Sequence, residues 1–323
     1  MSEAVQPLSP AEQADAQRRV AAAQARVAGR SFRARWGLVS PAILIIAVFG
    51  VGPLLIVMVY SFLEAATYGG VVWNFSTDAY VQFLFERDIF DETLHFSWAY
   101  PQIFGRSILL ALITTVVCLL LGFPTAYFMA TRPANQRNLW LFLITLPFWT
   151  NLLIRTYAMF VILRDDGLVN NTLIWFGMME TPLRIIHTDF AILLGLMYSF
   201  LPFMVLPLYA ALEKMDFRLV EAGYDLYADR WKVLRRIVVP LAKPGVVAGC
   251  ILVFIPSIGA YVTPLLLGGG KELMIGNLIA LQFGNARNWP FGCAAALILM
   301  LMVMVALLFY VRSTGAKGAP GHG

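Results

Sequence analysis

The chain has 323 residues, 24 of them basic and 19 acidic, for a formal net charge of +5 at pH 7, and 59% of its positions are hydrophobic. Charged residues make up only 13%, and mean hydropathy is +0.73. This balance excludes a soluble globular domain and leaves an integral membrane protein.

Residues 1–36 form a polar N-terminal tail. It begins acidic and lacks a short apolar core followed by a small-residue cleavage site, so it does not read as a removable signal peptide. Ser9 as a cap, Pro10 at the first helical position and Glu12 three residues after the cap predict a helix at the membrane surface or in the cytoplasm. The plainer reading is a basic tail that only helps to set topology.

About 20 mostly apolar residues are needed to cross a bilayer as a helix. Six runs qualify: Gly37–Phe62, Ser107–Met129, Leu139–Ile162, Phe190–Leu212, Val246–Leu267 and Phe291–Val311. With the N-terminus inside, 17 of the 24 lysines and arginines fall on the inner side, which is net +9 against −4 outside. That bias places both termini in the cytoplasm. The basic balance therefore reflects membrane orientation, and no nucleic-acid partner is expected. The expected organisation is a tail over 1–36, a six-span domain over 37–312 that includes a cytoplasmic loop over 213–245, and a C-terminal tail over 313–323.

The third run contains Trp149, Asn151 and Arg155. Arg155 can line a pathway, or its stem can carry the charge to the interface; Trp149 and Asn151 can line the same pathway or pack between helices. Asp165 and Asp166, just beyond this run, either rim an outer vestibule or cap the helix after Gly167. Tyr198 and Tyr261 are candidate pathway aromatics whose commoner role is packing.

Glu213–Gly245 holds 12 charged residues. Each charge at a helix centre costs roughly 2.5–3.5 kcal/mol on insertion scales, so this segment stays out of the membrane. Leu219, Ala222 and Leu226, then Trp231, Leu234, Ile237 and Val238, recur at helical spacing and predict two amphipathic helices whose apolar stripe must be buried. Asp229 is placed to cap the second helix, and Pro240 and Pro244 are expected to stop it before the fifth span.

Gly268–Glu272, "GGGKE", is not a phosphate loop, because Leu265 replaces the first glycine and Glu272 the Ser/Thr. The histidines His95, His187 and His322 are scattered, and Cys118, Cys250 and Cys293 lie within spans without paired spacing, as packing residues. No metal site is expected, and no clustered acid, base or nucleophile set suggests an enzyme.

The order Glu221-Ala222-Gly223, Asp225-Leu226, Trp231, Arg235-Arg236-Ile237, Pro240 and Pro244-Gly245 resembles the cytoplasmic coupling loop, or EAA loop, of bacterial ABC-importer membrane subunits. Gly223 stands where a second alanine is common, and Tyr227 where the family usually has glycine. Leu146–Met159, Leu201–Asp216 and Gln282–Ala294 resemble segments of the permease subunits of spermidine/putrescine importers, and the likeness runs roughly from Ser40 to Val311.

The resemblance implies an all-α, type I importer permease of the bacterial inner membrane. Its hairpin would seat in a cleft of an ATPase subunit, with Glu221 facing basic groups. Glu221, Ala222, Gly223, Asp225, Tyr227, Arg235, Pro240, Pro244 and Gly245 are the coupling residues it implies, with Pro240, Pro244 and Gly245 setting the angle of entry into the fifth span. Implied partners are a second permease, two ATPase subunits that hold ATP and Mg, and a periplasmic binding protein; this chain binds no cofactor and performs no catalysis. The substrate it suggests is a polyamine. Acidic outer residues (Glu86, Asp88, Asp91, Glu92, Asp165 and Asp166) and the aromatics Trp149, Tyr198 and Tyr261 suit a flexible polycation. An ion-driven secondary transporter is the alternative, and it would require carboxylates buried in the spans.

Overall fold

The computed structural model describes residues 39–87, 94–270 and 273–315. The predicted N-terminal helix, Asp88, Asp91, Glu92, Lys271, Glu272 and most of the C-terminal tail lie outside these residues. Two compact units divide the chain, Met1–Val59 and Tyr60–Gly323.

The first unit contributes α1, Val39–Tyr60, an apolar helix of spanning length with a π-helical segment at Ala47–Val51. The second unit opens with two antiparallel ribbons, β1 (Leu63–Ala65) with β2 (Val71–Phe75) and β3 (Phe85–Arg87) with β4 (Leu94–Phe96). The short α2, Asp78–Val81, lies between the ribbons. These ribbons correct the all-α expectation. Gly69 and Gly70, both at positive φ, precede the β-branched and aromatic stretch Val71–Phe75, a hairpin signal within a segment otherwise read only as a loop.

The remaining helices are α3 (Ala99–Ala130), α4 (Ala134–Thr145), α5 (Leu152–Leu163), α6 (Leu168–Trp175), α7 (Asp189–Glu213), α8 (Arg218–Asp225), α9 (Arg230–Ile258), α10 (Val262–Leu267), α11 (Ile275–Phe283) and α12 (Trp289–Gly315). Among the described residues, five helices are long and apolar enough to cross a membrane, and a bent pair makes a sixth candidate.

Three of the expected spans need correction. The third, Leu139–Ile162, is not one helix: α4 passes into a 3-10 turn at Leu146–Trp149, and the chain resumes as α5 after a bend of 90°. Pro147 supplies no N–H to continue the helix, and the Asn151 side chain accepts from the Leu153 N–H at 2.8 Å, starting a new one. The fifth, Val246–Leu267, starts much earlier and ends earlier, because α9 runs unbroken from Arg230 to Ile258 and α10 is separate. Pro256 and Gly259, two poor helix formers, mark that end. The second starts at Ala99 rather than Ser107, so Arg106 lies within α3 and pairs with Asp189 at the start of α7; its Nε donates to Asp189 Oδ1 at 3.1 Å.

Helices α3, α7 and α9 form the centre of this unit. Their shared cluster includes Cys118, Ala126, Met129, Met204, Leu208, Leu212, Ala242 and Val253, and it continues into the charged segment through Val220, Val233 and Val238. In hydrocarbon, helices gain little from hiding apolar surface and associate by close packing. Gly245 and Gly249, four residues apart on one face of α9, meet that need: a Cβ on Gly245 would lie 2.6 Å from the Pro207 carbonyl oxygen, and one on Gly249 would lie 2.7 Å from Met204 Sδ. All three cysteines are free, with Cys118 and Cys293 buried.

Candidate functional site

The charged segment folds as a helical hairpin packed on the core and continuous with α9. It opens with α8, where Asp216 Oδ1 accepts from the Arg218 N–H at 3.0 Å. At the end of α8 the Tyr227 N–H donates to the Tyr224 carbonyl at 2.9 Å, and the Ala228 N–H to the Gly223 carbonyl at 3.1 Å. With Tyr227 at φ +56, these bonds are a Schellman closure, whose left-handed position glycine favours. Asp229 then occupies the cap position of α9 with extended backbone, although its side chain forms no capping bond.

Pro240 and Pro244 do not stop the second helix, contrary to expectation. A π-helical stretch at Leu234–Val238 ends two residues before Pro240, its i→i+5 bonds closing with the Val239 N–H on the Leu234 carbonyl. A widened turn of this kind accommodates a proline that would clash with a regular preceding turn. The hairpin's second arm and the span are therefore one continuous helix. Gly245 belongs to the α7–α9 contact and is buried, whereas both prolines are exposed.

The expected apolar stripe is split between two environments. Val220, Gly223, Val233 and Val238 are buried, with Leu234 and Ile237 packed partly against them. Gly223 sits where the two arms touch, since a Cβ there would come within 2.9 Å of Ile237 Cδ1. Leu219, Leu226 and Trp231, which the periodicity assigned to the buried stripe, are exposed, as is Ala222. Leu226, Tyr227 and Trp231 are 82%, 97% and 66% exposed, too much apolar surface at one hairpin tip to be incidental. Glu221, Asp225 and Arg235 are exposed beside them. At the base of the hairpin, Glu213 accepts from the Tyr209 hydroxyl at 2.8 Å and faces Arg137 Nη1 at 3.7 Å, linking α7 to α4.

The second constellation is the helix break. Arg155 does not reach for an interface: it is buried, its Nη1 donates to the Pro147 carbonyl at 3.0 Å, and its guanidinium lies 5.8 Å from the centre of the Tyr198 ring. The same carbonyl accepts from the Thr150 N–H and hydroxyl. Arg155 and Tyr198 thus meet at the break, Asn151 caps the helix beyond it, and Trp149 at its edge is 83% exposed.

Asp165 and Asp166 lie apart from that group. They line a cavity of about 710 Å³ with Arg164, Arg184, His187 and Gly269, so two carboxylates and two guanidinium-bearing residues share its wall. Neither caps α6, whose cap position is Gly167 with no side-chain bond. Tyr261 borders a separate cavity, of about 340 Å³, where its carbonyl accepts from Asn277 Nδ2 at 3.1 Å. Sequence reasoning missed Asn170, which is buried and bonds the Arg164 carbonyl and both backbone groups of Leu183. It also missed the spacing Gly245-x-x-x-Gly249, a close-packing signal legible in the sequence. Among the described residues there is no metal-binding cluster.

Comparison with known proteins places this architecture. Residues 122–314, which include the hairpin, match the family described as binding-protein-dependent transport system inner membrane component. The chain is 45% identical over 215 residues to the spermidine/putrescine transport system permease protein PotB of Escherichia coli K12, covering 67% of this chain and 78% of that one. The PotB protein of Haemophilus influenzae is 44% identical over 218 residues, covering 68% and 76%, and the inner membrane ABC transporter permease protein YdcU of Escherichia coli K12 is 31% identical over 242, covering 69% and 75%. A bacterial ABC transporter that imports the acidic polysaccharide alginate shares the fold at a TM-score of 0.67 and 17% identity, over 90% of this chain and 99% of that one. The methionine ABC transporter MetNI matches at 0.52 and 16% identity, over 68% and 96%. The chain belongs to the family of inner membrane components of binding-protein-dependent transport systems, the permeases of ABC importers.

Proposed function

We propose that this chain is one of two related permease subunits of an ATP-driven importer that carries polyamines. A binding protein would deliver the substrate at the outer face, and two ATPase subunits would dock on the hairpin and hold the ATP and Mg. The observation that carries the coupling role is the two-faced hairpin: one side is continuous with the α3–α7–α9 core, and the other presents Leu226 and Trp231 beside Glu221. A partner that binds the exposed side moves the spans with it. The substrate reading is supported by 45% identity to a protein named for spermidine and putrescine transport. For the secondary-transporter alternative, the buried charged residue among those described is Arg155, not a carboxylate.

Uptake of labelled putrescine and spermidine by cells carrying this chain with its cognate subunits tests the reading. Both solutes should be taken up, and Glu221→Lys should abolish uptake while the subunits are still made, because it reverses the charge offered to the ATPase. Transport of a neutral or anionic solute instead would overturn the substrate assignment and leave the permease role standing.

We assign both termini and the hairpin to the cytoplasm. A reporter fused after Arg312 should be active only as a cytoplasmic reporter, and one inserted near Asp91 only as a periplasmic one; the reverse pattern would refute this topology.

Tyr227→Gly should preserve uptake and raise the stability of the purified protein by about 1 kcal/mol, since it removes the left-handed penalty from a side chain with almost no contacts. Loss of uptake in a stable, assembled variant would instead show that the Tyr227 ring contacts the ATPase.

A further inference from the structure

A cavity of about 290 Å³ opens where the hairpin meets the C-terminal part of α3. Phe123 and Tyr127 of α3, Tyr224 of α8, and Arg230, Leu234 and Val238 of α9 line it. Its chemistry is divided. Arg230 is a permanent cation that shares the lining with two tyrosines, and no carboxylate shares it. The rest of the wall is carbon. A small soluble anion would gain nothing from Phe123, Leu234 and Val238, and a neutral apolar molecule would gain nothing from Arg230. A molecule with a phosphate at one end and hydrocarbon at the other satisfies both.

The position favours the same ligand. The cavity lies where the charged hairpin passes into the spanning part of α9, which a cytoplasmic hairpin puts at the level of lipid headgroups. Lys232, Arg235 and Arg236 are exposed on the same helix, and a basic cluster at the cytoplasmic end of a span attracts anionic lipid. The volume accommodates a phosphate and the first carbons of a chain, with the remainder of the lipid outside along α3.

We infer that this cavity is a binding site for an anionic phospholipid of the inner leaflet, with its phosphate on Arg230 and the hydroxyls of Tyr127 and Tyr224. The ligand then sits in the joint between the hairpin and α3, so headgroup charge sets how firmly the lever is held. The inference rests on the cytoplasmic placement of the hairpin proposed above.

The test uses the assembled importer in nanodiscs of phosphatidylcholine, with and without phosphatidylglycerol. Native mass spectrometry reads the lipid retained, and ATP hydrolysis reads the consequence. Phosphatidylglycerol should be retained and should change the hydrolysis rate. Arg230→Gln should lower retention about fivefold, the factor for roughly 1 kcal/mol per basic residue near the surface, and Tyr127→Phe should lower it by less.

Lys232→Gln, outside the cavity, should lower retention by clearly less than Arg230→Gln, because it removes only diffuse surface charge; an equal loss there would reduce the effect to that charge and overturn the site. Displacement of the lipid by millimolar inorganic phosphate would overturn it in favour of a soluble anion. Equal retention by Arg230→Gln and the unaltered importer would end the proposal. Failure of the coupling reading looks different, since Glu221→Lys would then leave uptake intact whatever lipid is retained.

Discussion

Replacing Gly245 by valine is expected to prevent this chain from reaching a stable fold, with little monodisperse protein recovered after solubilisation and no uptake. A Cβ at that position would lie 2.6 Å from Ala211 Cβ, 2.6 Å from the Pro207 carbonyl oxygen and 3.1 Å from Leu208 Cα. Two of these three neighbours are backbone atoms of α7, so no rotamer change relieves the contact. Overpacking a core by side chains alone costs typically 1–3 kcal/mol, and a backbone obstacle puts this substitution at or above the upper end. The damage reaches the hairpin as well, because α9 carries both Gly245 and the hairpin's second arm. Gly259→Ala is the matched control: nothing lies within 4 Å of a Cβ there, and its yield and uptake should be those of the unaltered chain. If Gly245→Val matches the control, the α7–α9 contact is not as close as described.

Gly245 also marks where the sequence stops being legible. As part of a coupling motif, Pro244 and Gly245 read naturally as punctuation between hairpin and span, yet the structure uses Gly245 for helix packing and lets the helix run through both prolines. Local rules for proline assume a regular preceding turn, and the π-helical stretch at Leu234–Val238 removes that assumption. Long uniform spans were read well: Phe190–Leu212 differs from the observed Asp189–Glu213 by one residue at each end. The broken third span was not, because a window average over Leu139–Ile162 hides a six-residue interruption. The residues that make the break are all visible in the sequence, namely Pro147, the cap Asn151 and a charge at Arg155, but the sequence reading takes Asn151 and Arg155 as pathway, packing or interface residues instead of as the start of a helix. In the hairpin's first arm, periodicity correctly grouped Leu219, Ala222 and Leu226, all exposed, but in the second it joined the exposed Trp231 to the covered Leu234, Ile237 and Val238. It could not tell which face the chain itself would cover, since that depends on where α3 and α9 meet.

Arg155→Leu is expected to release the helix break, lowering uptake about tenfold or more and destabilising the protein, with Arg155→Lys in between. The guanidinium is buried without a carboxylate, a placement that is costly unless its surroundings compensate. Here the compensation comes from the Pro147 carbonyl at 3.0 Å, the face of Tyr198, and the carbonyl end of α4, which carries partial negative charge. Arg155 thereby ties the start of α5 back to the end of α4 across the 90° bend. A hydrogen bond to a charged group contributes roughly 1.5–3 kcal/mol, and about 1.4 kcal/mol already shifts a conformational equilibrium tenfold. Lysine keeps the charge and a cation–π contact but lacks the planar fork that reaches the carbonyl while lying over the ring. If Arg155 served only to carry charge to the interface, leucine would be harmless and lysine equivalent to arginine. Unfolding midpoints and putrescine uptake, measured on the three forms side by side, separate these outcomes; equal values for arginine and leucine would remove Arg155 from any role at the break.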